Sequence, residues 1–227
     1  QVLLGDGGDD TIVVTTRDIG DDERFEGGAG FDTLDLRGVA ETRWQYNEFG
    51  QSHLQGAAST DDFNPNNRSG ALVDEFERIF TGAFDDVVLT NGGIFVDVGA
   101  GDDELIIFAR DGGLYLGGDG DDEISNVQGA TAEINGGDGA DRIETRGGFV
   151  DQSNVTHVIR VVAGAGDDEI IVNGPHLVVD GGEGVDSISY GGGGVLGASQ
   201  IGITLNLRTG DAAGGAAGQT ITNVENV

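Results

Sequence analysis

A nine-residue pattern, Gly-Gly-x-Gly-x-Asp-x-apolar-x, recurs along this chain and restricts its fold more than any other feature. Three glycines in six residues allow backbone angles that other residues avoid, so the chain can turn tightly before an apolar strand. The complete copies span residues 27–35, 117–125, 136–144 and 181–189. Copies at 98–106 and 163–171 lack only the first glycine, and looser copies span 5–13 and 81–89.

The sixth residue of each copy is an aspartate, and these aspartates follow one another at a nearly constant step. From Asp86 to Asp186 the intervals are 17, 19, 19, 27 and 18 residues. Two short apolar runs, such as 104–108 and 114–116, lie between successive glycine turns and are separated by ordinary turn residues. Strand, turn, strand and turn in about 18 residues make one coil of a solenoid. We therefore predict an all-β parallel β-solenoid, with the aspartate turns mainly along one edge and plain turns along the other.

Alternation within the short strands predicts two facing stacks of inward side chains. One stack contains Leu105, Ile124, Ile143, Ile170 and Ile188, and the other contains Val96, Ile134, Val161 and Val179. A core only two strands thick buries little apolar area. At about 25 cal/mol/Å² that area competes poorly with a backbone entropy of about 1–2 kcal/mol per residue. We therefore expect an additional source of stability.

Two segments break the period and divide the chain. We assign N-terminal coils to 1–36, an inserted excursion to 37–80, the main roll to 81–190 and a second excursion to 191–227. The sequence VDEFERI at 73–79 is similar to ITNVENV at 221–227, so the solenoid is expected to continue beyond residue 227. The chain does not begin with methionine, which we interpret as the mark of an internal fragment of a longer product.

The first excursion contains the single tryptophan, Trp44, together with Tyr46 and Phe49. Aromatic side chains of this kind serve either as a local apolar core or as a platform for a ligand. The two interpretations are a small core beneath the excursion, and a binding site for a carbohydrate or a surface-protein partner.

The net charge and the missing residue types favour some classes of binding partner and activity over others. The chain has 41 acidic and 11 basic residues and a net charge of −30, which argues against nucleic acids and anionic membranes and favours cations as partners. It has no cysteine, no lysine and no apolar run long enough to cross a bilayer. His53, His157 and His176 are scattered and do not have the sequence spacing of a catalytic or metal-binding group. An enzyme of the pectate-lyase type is therefore a poor alternative, and we expect no enzymatic activity.

The glycine turns place backbone carbonyls beside a carboxylate, which is the hard-oxygen donor set of Ca²⁺. One turn has too few oxygens, so stacked turns should share roughly four to eight ions along the chain. The alternative is that the nonapeptide turns are ordinary Gly/Asp surface turns that bind no metal. The predicted carboxylate ligands are Asp10, Asp32, Asp86, Asp103, Asp122, Asp141, Asp168 and Asp186. The predicted carbonyl ligands belong to Gly28, Gly30, Gly99, Gly101, Gly118, Gly120, Gly137, Gly139, Gly164, Gly166, Gly182 and Gly184.

These repeats resemble the RTX (repeats-in-toxin, haemolysin-type) calcium-binding family. The resemblance covers nearly the whole chain except about 40–72, and it includes linker-like segments at 80–86 and 224–227. It implies a right-handed parallel β-roll that is disordered without calcium and folds on binding it. It also implies export, and therefore a secreted or cell-surface protein.

A calcium-stiffened structural segment is the function that the resemblance favours. The alternatives are the secretion-competent appendage of an extracellular hydrolase, and an adhesin module that binds a carbohydrate or a protein. Rolls of the RTX family often alternate nonapeptides on both edges, whereas this chain keeps them on one edge. That difference predicts a single column of ions.

Overall fold

The computed structural model describes residues 2–15, 24–39, 42–46, 52–56, 71–90, 94–108, 112–126, 131–146, 149–150, 156–174, 176–190, 203–206, 211–214 and 220–225. Every regular element within these residues is a β-strand. Parallel strands stack as a β-solenoid of about 7 turns with ~19 residues per turn. The predicted all-β parallel solenoid is therefore confirmed.

Two sheets of eleven strands form the long faces of the solenoid. Sheet I has the spatial order β1 (Val2–Leu4), β3 (Arg24–Glu26), β7 (Ala71–Asp74), β6 (Ser52–Gly56), β5 (Thr42–Tyr46), β9 (Val87–Thr90), β11 (Glu104–Ile107), β13 (Glu123–Asn126), β15 (Arg142–Thr145), β19 (Glu169–Val172) and β21 (Ser187–Tyr190). Sheet II has the order β2 (Thr11–Val13), β4 (Thr33–Asp35), β8 (Arg78–Phe80), β10 (Phe95–Ala100), β12 (Gly113–Asp119), β14 (Ala132–Asp138), β18 (Ile159–Ala165), β20 (Leu177–Glu183), β24 (Thr220–Thr222), β23 (Asp211–Gly214) and β22 (Ile203–Asn206). A small hairpin joins β16 (Phe149–Val150) to β17 (Thr156–His157).

The core lies between the two sheets and consists of in-register apolar ladders. In sheet I, Leu105 pairs with Ile124 and Ile124 pairs with Ile143, and this stack continues through Ile170 and Ile188. Val96, Tyr115, Ile134, Val161 and Val179 form the facing stack of sheet II. The side chains of both stacks are fully or almost fully buried. The two predicted stacks of inward residues are confirmed, and Tyr115 is an additional member.

The aspartate turns lie on both edges of the solenoid. The turns of Asp10 and Asp32 each lead from sheet I to sheet II, whereas the turns from Asp86 onward lead from sheet II back to sheet I. We call the first pair the minor column and the six turns from Asp86 to Asp186 the major column. Most turns do share one edge, but the expectation of a single column is wrong.

The first excursion explains why the column changes edge. It returns to the solenoid through β7 and β8, which are joined by a short turn at 75–77 instead of a nonapeptide. The next nonapeptide, 81–89, therefore begins on the other side of the coil, after a strand of sheet II. This half-coil shift cannot be seen in the aspartate spacing alone.

Both excursions add antiparallel strands to the sheets. The β5–β6 hairpin is inserted between β7 and β9 in sheet I, and β22 and β23 extend sheet II beyond β24. The side chains of Trp44 and Tyr46, and the whole of Phe49, lie outside the described part of the chain. The aromatic platform therefore stays a prediction.

Candidate metal centre: two columns of aspartate turns

Glycine at positions 2 and 4 of each turn is required by backbone angle and by close stacking. Gly118 and Gly120 have φ of 122° and 136°, in the region that favours glycine. A Cβ on Gly118 would collide with the carbonyl oxygen of Gly99 in the preceding coil. Eleven of the twelve predicted glycines have such positive φ values: Gly28, Gly99, Gly101, Gly118, Gly120, Gly137, Gly139, Gly164, Gly166, Gly182 and Gly184.

Gly30 is the exception, yet a Cβ there would collide with the Gly8 carbonyl oxygen. Eight of the predicted carbonyl ligands face the glycine at the same position of the next coil: Gly99, Gly101, Gly118, Gly120, Gly137, Gly139, Gly164 and Gly166. At the first turn of the major column, the Gly82 carbonyl accepts a hydrogen bond of 3.0 Å from the Ala100 amide. This position-2 carbonyl, which was not among the predicted ligands, therefore continues the hydrogen-bond ladder between coils.

Seven of the eight sixth-position aspartates are buried, and six of these join their coil to the one before it. The amide of Asp122 donates to Asp141 Oδ1 at 2.9 Å, and Asp122 Oδ1 accepts from the amide of Asp103, also at 2.9 Å. The same bond recurs from Asp86 to Asp103, from Asp141 to Asp168, from Asp168 to Asp186 and, in the minor column, from Asp10 to Asp32. One oxygen of each of these six carboxylates therefore holds two coils together.

The second carboxylate oxygen has no such partner. The Oδ2 atoms without a hydrogen bond are buried and belong to Asp32, Asp103, Asp122, Asp141, Asp168 and Asp186. A buried acceptor left in this state costs about 1–3 kcal/mol. Six such atoms in two ordered columns are too regular to be defects of packing.

The neighbour of this orphaned oxygen is another acceptor. A Cβ on Gly117, at position 1, would collide with both Asp122 Oδ2 and the carbonyl oxygen of Gly136, which is position 1 of the next coil. Gly136 has the same relation to Asp141 Oδ2 and the Ala163 carbonyl oxygen. We call this space, bordered by one carboxylate oxygen and one carbonyl oxygen, the cradle. A buried carboxylate oxygen that has no donor and lies beside a carbonyl oxygen is stabilised when a cation or a proton lies between them.

Position 1 is not always glycine. Val98 and Ala163 occupy it in two coils, where their side chains are fully buried, and Asp103 Oδ2 and Asp168 Oδ2 still have no donor. The position-1 carbonyl was not among the predicted ligands, because the motif draws attention to the glycines after it. Every described position-1 residue except Gly5 is buried, but this burial is visible in the structure and not in the sequence.

Burial in a column of like charges disfavours ionisation. Desolvation raises the pKa of Asp103 to about 8, of Asp141 to about 7, and of Asp122 and Asp168 to about 6, against an ordinary value of 3.8. Backbone donors to these carboxylates oppose the shift, and neighbouring carboxylates add to it. The pKa of Asp186 is raised as well, first by burial and then by charges that include Glu225. In the major column, Asp103 and Asp141 therefore retain protons near neutral pH unless a cation replaces them.

The fifth-position carboxylates form a second, exposed ladder that runs in the opposite direction. Asp102 Oδ1 accepts from the amide of Asp121 at 3.0 Å, and Asp121 Oδ1 accepts from the amide of Ala140 at 2.8 Å. Asp85, Asp167 and Asp9 make the equivalent bond to the following coil. These residues align the turns without lining the cradle.

Asp86 differs from the other members of its column. Its Oδ2 accepts a hydrogen bond of 3.0 Å from the Gly82 amide. The Thr81 hydroxyl, at position 1, donates to the Val98 carbonyl at 2.6 Å. Donors thus satisfy both acceptors at this turn, and Asp86 is the predicted ligand that the structure favours least. Asp10 lies in the minor column and is half-buried.

In the described part of the chain, no group of three or more His, Cys, Asp or Glu side chains gathers around one point. The cradles instead combine single carboxylates with main-chain oxygens. None of the described segments forms a helix capable of crossing a bilayer. No protein-family model matches this chain, and no curated protein is significantly similar to it.

Proposed function

We propose that this chain is a calcium-binding structural segment of a secreted or cell-surface protein, and that its coils become stable when calcium fills the cradles. The observation that carries the proposal is the row of buried Oδ2 atoms that have no donor and face a carbonyl oxygen. Carboxylate and carbonyl oxygens are the donors that Ca²⁺ prefers, and its flexible coordination suits a cage built from main chain.

Calcium would supply the stability that the thin core lacks. The chain carries a net charge of −30, and stacked acidic turns repel one another when they are ionised. Binding to the folded coils, and not to the open chain, adds its free energy to folding. Extracellular calcium modules bind at roughly 10⁻⁴–10⁻³ M, so such a segment stays empty in a cytosol and fills after export.

Protons are the competing occupants of the cradles. Since burial raises the pKa of Asp122 to about 6, a neutral carboxyl could donate to the Gly136 carbonyl without any metal. Protonation predicts a fold that is most stable in acid and indifferent to calcium. Calcium binding predicts a fold that needs the cation above neutral pH, and the two occupants can therefore be separated.

The test is calcium titration at pH 8, followed by calorimetry and circular dichroism in chelator and in millimolar Ca²⁺, with Mg²⁺ as a comparison. At pH 8 we expect more β-structure and a higher unfolding midpoint with Ca²⁺ than in chelator or with Mg²⁺. Asp122→Ala should weaken binding and raise amide exchange in the coils on both sides, because Asp122 contacts the preceding amide and the following carbonyl.

Asp138→Ala is the matched control, because Asp138 is an exposed acidic residue of an adjacent turn. Unchanged spectra and unfolding midpoints on chelation would refute calcium-dependent folding. Loss confined to one coil in Asp122→Ala would refute the sharing of ligands between turns.

A further inference from the structure

Each column ends at a segment that is not a nonapeptide but replaces one. The minor column ends at residues 74–77 after Asp32, and the major column ends at 222–225 after Asp186. These are the two segments whose sequences are similar. Glu75 and Asn223 have φ of 59° and 50°, unusual for residues other than glycine. Phe76 and Val224 follow them and are both buried.

A glutamate in each segment makes the bond that the next aspartate would make. Glu77 Oε2 accepts from the Asp32 amide at 2.7 Å, and Glu225 Oε2 accepts from the Asp186 amide at 2.9 Å. Within the columns, Oδ1 of the following aspartate accepts this bond, as Asp186 does from Asp168.

The glutamates reach this position from a shorter turn. The Glu225 amide donates to the Asp186 carbonyl at 3.1 Å, which is the bond that the seventh residue of a nonapeptide makes, as Ser187 does to Asp168. Its backbone therefore occupies the seventh position while its carboxylate occupies the place of the sixth. The additional methylene of glutamate spans that difference.

The two segments also complete the last cradle. A Cβ on Gly181 would collide with Asp186 Oδ2 and with the Asn223 carbonyl oxygen, as at Gly117 in the interior. Gly27 has the same relation to the Glu75 carbonyl, with Asp32 Oδ2 beside it. Asp32 Oδ2 and Asp186 Oδ2 are both orphaned. The positive φ of Glu75 and Asn223 turns each carbonyl toward the cradle.

We propose that residues 74–77 and 222–225 are terminators that give the last turn of each column a complete divalent-cation site. Glu75 or Asn223 contributes the carbonyl, and Glu77 or Glu225 contributes the negative charge and fixes the aspartate backbone. This inference rests on the proposed calcium function. It adds two cation sites that the nonapeptide motif does not assign, since no further aspartate turn closes them.

The test uses the full chain with Glu225→Gln, which keeps an oxygen to accept from the Asp186 amide but removes the charge. We expect one fewer Ca²⁺ bound at saturation by native mass spectrometry, or a terminal affinity weakened by about tenfold or more. Glu225→Asp should give the same loss together with faster exchange of the Asp186 amide, because the shorter side chain cannot span the distance. Glu133→Gln is the control, since it removes one exposed charge from β14 without touching a turn.

Each outcome of the calcium-binding experiment supports or overturns the terminator proposal. If Glu225→Gln binds as many ions as the unmodified chain, and as tightly, the terminator proposal is wrong while the calcium function stands. If the unmodified chain binds no calcium, both are overturned. Should Glu225→Gln fail to fold, Glu77→Gln in the minor column tests the same proposal independently.

Discussion

Asp122→Asn should have opposite effects with and without calcium. Asparagine keeps an oxygen to accept from the Asp103 amide, so the ladder between coils is preserved. It replaces Oδ2 with an amide group, which donates a hydrogen bond and therefore suits the Gly136 carbonyl oxygen that borders the same cradle. The substitution thus supplies internally what a cation or a proton would supply.

The size of the effect follows from the orphaned atom. Satisfying one buried acceptor is worth about 1–3 kcal/mol, and each kcal/mol moves the unfolding midpoint of a chain of this size by about 2–4 °C. We expect a stabilisation in this range in chelator at pH 8. At pH 5 the gain should nearly vanish, because the pKa of Asp122 is raised to about 6 and the protonated carboxyl can already donate. In calcium the variant should be less stable, because a cation ligand has been lost.

The assay is unfolding by urea, followed by circular dichroism, in chelator at pH 5 and pH 8 and in millimolar Ca²⁺ at pH 8. Asp138→Asn serves as the control, since Asp138 is exposed and borders no cradle. The cradle geometry is wrong if Asp122→Asn destabilises the chain in chelator at pH 8 as well as in calcium. A gain of equal size at both pH values would show that protonation of Asp122 plays no part.

Three further outcomes are expected. In chelator the free energy of unfolding should fall as pH rises from about 4 to 8, because the folded pKa values of Asp103 and Asp141 lie above the unfolded value. The fall should be up to about 1.4 kcal/mol per pH unit for each extra proton that the folded chain holds. Urea titrations at several pH values measure this free energy, and a rise with pH would contradict the prediction. Tyr115→Phe should stabilise the chain slightly, since the Tyr115 hydroxyl is buried without a partner, whereas Gly113→Ala should destabilise it because a Cβ would collide with the Tyr115 ring. Thermal melts in calcium should therefore place the midpoint of Tyr115→Phe above that of the unmodified chain and the midpoint of Gly113→Ala below it. Equal midpoints would contradict the described packing of Tyr115 against Gly113. Arg142→Gln should lower stability by at most about 1 kcal/mol and only at low salt, since Arg142 pairs with three exposed glutamates: Glu123 and Glu169 on the neighbouring strands and Glu144 on its own. A loss that persists at about 1 M salt would point to packing instead.

The solenoid itself could be predicted from sequence because one constraint repeats. A glycine turn, an apolar residue two places after the aspartate and a step of about 18 residues leave few folds open. The inward position of Ile124 and Ile143 follows from alternation alone. The place of Tyr115 in that core was missed, since it depends on the absent side chain of Gly113.

The division of the aspartate turns into two columns could not be predicted, because it depends on how the first excursion rejoins the solenoid through β7 and β8. A turn of three residues, 75–77, replaces a nonapeptide and moves the following turns to the other edge. The motif predicted Asp122 and its equivalents as calcium ligands, which stays a prediction; the structure adds that Asp122 is buried. The partner carbonyl, the hydroxyl of Thr81 and the glutamates that end the columns were missed, since each is a single residue outside the repeated frame.

The terminators at 74–77 and 222–225 have a consequence for the length of each column. The carboxylates of Glu77 and Glu225 bond to the last turn of their columns, so these closing bonds do not depend on how many coils a column contains. Interior coils are joined by the same bonds in the same register, so one can be removed or duplicated as a unit. The number of coils is thus an adjustable dimension, and columns of different length could close on the same kind of segment.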